Sequence, residues 1–229
     1  MHGSTFIIAF LAGVLPSLLW LWFWLREDSN PEPKWFILIN FLGGFLAVIA
    51  AIFAERYIAN IVVNNEALRY TLWAGVEELF KFIVVAVIAL SSDYNDEPID
   101  AMIYSITVAL GFAALENAFF LFQPLLGGDI AQSIMTGNMR FIGATLVHVV
   151  SSAVIGFGLG FVFYKGYIAK FIAVIVGLSA AITLHSAFNL SIINGTTSDT
   201  LKAFAWVWGA VIILIILFEE IKVVKPKVS

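Results

Sequence analysis

The chain is expected to be all-α: a polytopic membrane helical bundle of about seven transmembrane helices. Three observations predict this. Of its 229 residues, 61% are hydrophobic and only 12% charged, whereas a soluble domain carries about 45–50% apolar and about 25% charged residues. Seven apolar runs reach the ~20 residues that a helix needs to cross the hydrocarbon. Alternating strands of about ten residues, which would signal a closed barrel, are absent, and only helices or barrels satisfy their backbone inside lipid. The loops are too short to bury a core of their own, so residues 1–229 read as a single transmembrane domain.

The first run, 5–25, lacks a basic leading stretch and a small-residue cleavage site and reads as a retained helix. Trp20, Trp22 and Trp24 at its far end, with Trp35 beyond the loop, are expected in an interfacial aromatic belt. The polar loop from Arg26 to Lys34 contains Pro31 and Pro33 and should be a stiff turn. The second run is 35–57. The third, 70–90, contains Glu77, Glu78 and Lys81 in otherwise apolar sequence, and Ser91 to Pro98 then form a short acidic loop. The fourth is 100–122. Gln123 to Arg140, with Pro124, Gly127, Gly128 and Gly137, reads as the longest connection, a length often used for a lid or docking element. The fifth, 141–164, repeats small residues at Ser152, Gly156 and Gly160, a face suited to close helix packing. The sixth and seventh are 169–193 and 203–221.

Alternate loops set the orientation. With the N-terminus outside, the cytoplasmic side carries seven basic residues (Arg26, Lys34, Lys165, Lys170, Lys222, Lys225 and Lys227) and the outside four (Arg56, Arg69, Arg140 and Lys202). The bias favours N-terminus out and C-terminus in, in a cell membrane. With no cysteine, disulfides, thiol nucleophiles and Cys-ligated metals are excluded. No basic patch supports nucleic-acid binding.

Charge inside a span costs roughly 2.5–3.5 kcal/mol per residue on insertion scales and usually marks function. Counted from the nearer loop, Glu77 and Glu78, Glu116 and Asn117, His148, and His185 with Asn189 all fall about 6–12 Å below one surface at a 1.5 Å rise. Four consecutive helices thus place their rarest side chains in one layer, whichever way the protein is inserted. Lys81 follows Glu77 and Glu78 by four and three residues and can meet either. His185 and Asn189, like His148 and Ser152, share one helix face. Three carboxylates against one lysine leave a negative cavity, which a divalent cation or protons would neutralise.

Such a set suits activation of water for amide hydrolysis. Glu77 or Glu78, with Glu78 preferred, would be the general base. His148 and His185 would ligate a metal or hydrogen-bond the oxyanion. Glu116 would be a further metal ligand or an orienting group, Asn117 and Asn189 would hydrogen-bond the site or substrate, and Lys81 would tune the glutamates. No His-Glu-x-x-His occurs, no second membrane aspartate faces Asp129, and Ser151 and Ser152 lack a nucleophile elbow. The competing reading is a proton- or cation-coupled transporter using the same groups as a relay; a third is a non-catalytic scaffold, which would tolerate loss of Glu77 and Glu78.

Glu77-Glu78-x-x-Lys81, Phe112-x-x-x-Glu116-Asn117, His148 and His185-x-x-x-Asn189, in this order on successive helices, resemble the motifs of the PrsW family of intramembrane proteases. Asp28-x-x-Pro31-Glu32-Pro33 also resembles that family. The family is distantly similar to CAAX prenyl endopeptidases and bacteriocin-immunity-type membrane proteases, which have an arginine one position after Lys81 and typically a histidine at Glu116. The resemblance implies a metalloprotease with a divalent metal such as Zn2+. It also implies cleavage of a single-pass membrane protein, an anti-sigma factor, on its extracytoplasmic side.

Overall fold

The computed structural model describes residues 2–193 and 195–226. Its helices are α1 (His2–Trp24), α2 (Lys34–Ile61), α3 (Glu66–Ile88), α4 (Asp100–Leu126), α5 (Ile130–Met139), α6 (Thr145–Phe161), α7 (Tyr167–Ile193) and α8 (Thr197–Lys222). A π-helical segment, Arg140–Ala144, joins α5 and α6 into one rod, so seven rods form an all-α bundle. Six of them are long and apolar enough to cross a membrane. The seventh, α3, has 23 residues but carries Glu77, Glu78 and Lys81 in its middle. The chain is a multi-pass membrane protein. Lys227, counted above for orientation, lies outside the described residues.

The long connection expected from Gln123 to Arg140 is not a loop. Helix α4 runs through Pro124 to Leu126, and α5 starts at Ile130. Only Gly127, Gly128 and Asp129 turn the chain. Gly128 takes φ 74°, a left-handed conformation open to glycine at no steric cost. Asp129 caps α5 by accepting the Gln132 amide at 2.9 Å, and such a cap makes a helix start cheap.

Helix α4 is the axis of the bundle. Every residue from Asp100 to Leu115 is buried, as expected of a helix that is apolar all round and covered on all sides. It packs against α1, α2 and α6. The α2 crossing is close because Gly44 and Gly111 lie in it. A Cβ on Gly44 would meet the Val108 carbonyl and the Phe112 amide, and one on Gly111 the Phe41 carbonyl. On α6, Gly156 lies against Ala101 and Gly160 against Pro98. Two positions of the small-residue face thus serve packing, which in lipid depends on such close approach. Ser152, the third, does not; it belongs to the site below.

The aromatic belt needs one correction. Trp22 and Trp35 are exposed, but Trp24 is fully buried and stacks on Phe218 of α8 with ring centroids 5.5 Å apart. Its place on α1 turns it inward, one residue past Phe23 and two past Trp22.

Candidate active site

Helix α3 starts at Asn65, whose side chain accepts the Leu68 amide at 3.0 Å. Its buried stripe is Ala74, Glu77, Glu78, Lys81 and Val85. The spacing is that of an ordinary helical core face, but its centre is ionic. The other site helices supply what this face needs, in the layer that depth counting anticipated.

Glu78 is fully buried and saturated. It takes Lys81 Nζ at 2.5 Å and His185 Nδ1 at 2.7 Å on Oε1, and the Ser152 hydroxyl at 3.2 Å on Oε2. Lys81 Nζ also lies 3.1 Å from His148 Nδ1 and 5.0 Å from the centre of the Phe112 ring. His148 Nε2 lies 3.0 Å from Glu116 Oε2. An ionised carboxylate only accepts, so these contacts require the proton on His185 Nδ1 and on His148 Nε2. The lone pairs of His185 Nε2 and His148 Nδ1 then remain for other partners, that of His148 taken by Lys81.

Both remaining nitrogens flank Glu77. Its Oε2 is 3.6 Å from His185 Nε2 and 4.0 Å from His148 Nδ1, and it is buried without a hydrogen-bond partner. The imidazoles stand edge-to-face, centroids 4.7 Å apart. Glu77, His148 and His185 each offer one ligand atom, and these atoms lie within 4.8 Å of one another. Two imidazoles and a carboxylate form a donor set typical of a catalytic zinc, which takes three protein ligands and leaves a position open. Each imidazole is also held by a carboxylate on its far nitrogen, Glu78 or Glu116, as metal-ligating histidines usually are. On donor chemistry and on the unpartnered Glu77 oxygen, a divalent metal fits; the competing bond is Lys81 to His148 Nδ1. The geometric trio includes Glu77 where sequence reasoning named Glu116.

Glu116 is instead engaged by Arg140, which ion-pairs with it. Arg140 Nε also donates to Asn117, and its guanidinium lies 3.9 Å over the Phe120 ring. Asn117 in turn donates to the Thr145 hydroxyl at 3.0 Å. Asn117 therefore orients Arg140 from behind the site. With Arg140 present, Glu77, Glu78 and Glu116 face two cations.

A cavity of about 570 Å³ opens over this layer, with Glu77, Glu116, His148 and His185 in its lining. Asn189, one turn beyond His185, and Glu55 of α2 line it too, amid aromatic side chains including Trp73, Phe119 and Phe204. Glu78, Lys81, Ser152 and Asn117 are not in the lining. Among adjacent glutamates, Glu77 thus faces the cavity and Glu78 the protein.

Sequence reasoning missed Arg140, Ser152 and Glu55. Gly137 and the polar run before Arg140 hide the helix that carries it, so the sequence predicts a loop there. Ser152 sits on the small-residue face as well as one turn from His148, and its bond to Glu78 is visible only once α3 and α6 pack. Glu55 lies two residues from the end expected for the second span, about 3 Å deep, so the depth count passes over it; α2 runs on to Ile61 and sets it about 9 Å from that end.

Residues 32–220 match the model of a family described as PrsW family intramembrane metalloprotease. Among curated proteins, Protease PrsW of Geobacillus kaustophilus is 34% identical over 152 residues, 65% of this chain and 64% of that protein. Protease PrsW of Clostridioides difficile is 28% identical over 192 residues, 79% of this chain and 77% of that protein. Protease PrsW of Bacillus subtilis is 24% identical over 152 residues, covering 65% and 66%. The match to the Geobacillus protein thus spans somewhat under two thirds of its length. No solved structure gives a significant match.

Proposed function

The chain belongs to the PrsW family of intramembrane metalloproteases, and from that premise we propose that it hydrolyses a peptide bond in a membrane-anchored protein, with Glu77 activating the water. The observation that carries this is the arrangement about Glu77. Two imidazoles, each anchored by a separate carboxylate, turn their remaining nitrogens toward one unpartnered carboxylate oxygen in a cavity lining. The relatives named above are all proteases, which favours this reading over a transporter.

Glu77 keeps Oε2 toward the imidazoles and uses Oε1 to take a proton from water as that water attacks the scissile carbonyl. The same carboxyl then returns the proton to the leaving amine. Glu78 is unsuited to this step because Lys81, His185 and Ser152 already occupy its oxygens; it holds His185 in one tautomer and orientation. Glu116 does the same for His148. Asn189 hydrogen-bonds the substrate backbone or the oxyanion. Glu77, His148 and His185 would hold a divalent metal, zinc by donor type, and its Lewis acidity would polarise the carbonyl and acidify the water.

The substrate is an extended segment of a single-pass protein, anti-sigma-factor-like, cleaved on the extracytoplasmic side. Support comes from the family resemblance, from the apolar and aromatic cavity lining, and from a site depth near the surface that the basic-residue bias makes external. The test uses purified protein in proteoliposomes with a tagged single-pass substrate. Glu77→Gln should abolish cleavage without lowering the melting midpoint. Undiminished cleavage by that variant removes Glu77 from the mechanism.

A further inference from the structure

The opposite end of α4 holds a second group of carboxylates, drawn from the α1–α2 and α3–α4 loops. Glu32, Asp96 and Asp100 each bring a carboxylate oxygen within 4.8 Å of the others. Asp100 is buried, and its Oδ2 accepts the amides of Asp96 at 2.9 Å and Glu97 at 2.6 Å, folding the acidic loop back over the start of α4. Asn30 donates to Glu97 and ties the two loops together.

Asp28 supplies an independent observation. It is only 7% exposed; its Oδ1 accepts the Asn30 amide at 2.8 Å, but its Oδ2 is buried with no hydrogen-bond partner. Buried polar atoms are rarely left so. Its carboxylate is within electrostatic reach of Glu32, Asp96, Glu97 and Asp100. Among the described residues, no lysine or arginine forms an ion pair with Asp28, Glu32, Asp96 or Asp100. Lys222, whose charge acts on Asp28, is bonded to Glu27 and Glu219.

The geometry points to a binding site for a hard divalent cation held by Glu32, Asp96 and Asp100 and clamping both loops to the N-terminus of α4, with the buried, unpartnered Asp28 Oδ2 adding to the same acidic group. All the donors are oxygens, the choice of Ca2+ and Mg2+ and not of zinc. Three oxygens within 4.8 Å of one another can all reach one such ion at metal–oxygen distances of about 2.0–2.6 Å. The site is separate from the proposed active site: Asp100 and Glu116 are about 24 Å apart along α4 at 1.5 Å per residue.

The test uses the full chain in detergent, stripped with a chelator and titrated separately with Ca2+, Mg2+ and Mn2+. Ca2+ or Mg2+ at up to about 1 mM should raise the melting midpoint. Mn2+ followed by electron paramagnetic resonance in the His148→Ala/His185→Ala protein, which lacks the other divalent site, should show one bound equivalent. The variant Glu32→Gln/Asp96→Asn relieves charge repulsion and so should fold; its cation affinity should fall at least about tenfold, or the midpoint shift should vanish. His148→Ala/His185→Ala should keep the shift, which separates this site from the catalytic trio. Absence of binding by the wild type overturns the proposal, as does equal binding by Glu32→Gln/Asp96→Asn, or loss of the shift only in the histidine variant.

Discussion

The two ends of α4 hold carboxylates in opposite circumstances. Around Glu116, acidic side chains meet Lys81, Arg140, two imidazoles and a serine hydroxyl, all supplied by neighbouring helices. Around Asp100, acidic side chains meet mainly one another and backbone amides. At the first end a single oxygen, Glu77 Oε2, is left without a partner in a ring of satisfied ones; at the second, repulsion is general. The difference separates two uses of buried charge. A site whose surroundings are fully paired fixes the position of one reactive atom, whereas a site with unpaired acids invites a cation from solution.

The strongest way to break the comparison is at the spared atom. Glu77→Gln is expected to lower the cleavage rate by on the order of 10²–10⁴, the usual range for removing a general base, measured on reconstituted substrate. Glu78→Gln should lose activity with a stability loss as well, because Lys81 loses its counter-charge and one of the two accepting oxygens becomes a donor. Next comes Lys81→Met. It leaves Glu78 buried without its cation and should destabilise the fold by about 3–5 kcal/mol, read from unfolding in mixed micelles; a stable Lys81→Met protein would show that His185 and Ser152 suffice for Glu78.

Arg140→Gln is a smaller perturbation. Glu116 and Asn117 lose charge-assisted bonds worth about 1.5–3 kcal/mol each to their position. The expected readout is a lowered kcat with little change in KM, since Arg140 fixes Glu116 and through it His148.

The smallest expected effect is at the acidic end, and it has a definite sign. Burial first, and then the neighbouring carboxylates, hold Asp28 and Glu32 above their ordinary values of 3.8 and 4.5. A group raised in the folded state favours folding when protonated, so stability is present at low pH and is lost as pH rises through the raised value. Chelator-treated protein should therefore gain thermal stability as pH falls from neutral into the range just above those ordinary values. Saturating Ca2+ should flatten this slope; an unchanged slope would separate the acids from any cation.

The polar layer was legible before any coordinates because rare side chains in apolar spans can be ranked by depth, and depth needs only the helical rise. Orientation within a helix needs more. Glu77 and Glu78 point about 100° apart, and which of them faces the cavity depends on where α4, α6 and α7 pack. Lys81 can reach either glutamate from sequence spacing alone, and only the packing of α6 and α7 shows that it takes Glu78. The acidic end was legible only as a loop motif, Asp28 to Pro33, because its grouping arises from two loops far apart in sequence. Helix α5 was hidden because its start depends on one cap, Asp129, inside a run rich in glycine.

The five π-helical residues Arg140–Ala144 amount to one spare residue in a rod of 32. In an uninterrupted α-helix, Arg140 and His148, eight residues apart, would point about 80° away from one another; with one residue absorbed, the eight behave as seven and the two align to within about 20°. Guanidinium and imidazole therefore converge on the same carboxylate from one rod, and without the spare residue Glu116 could not hold both.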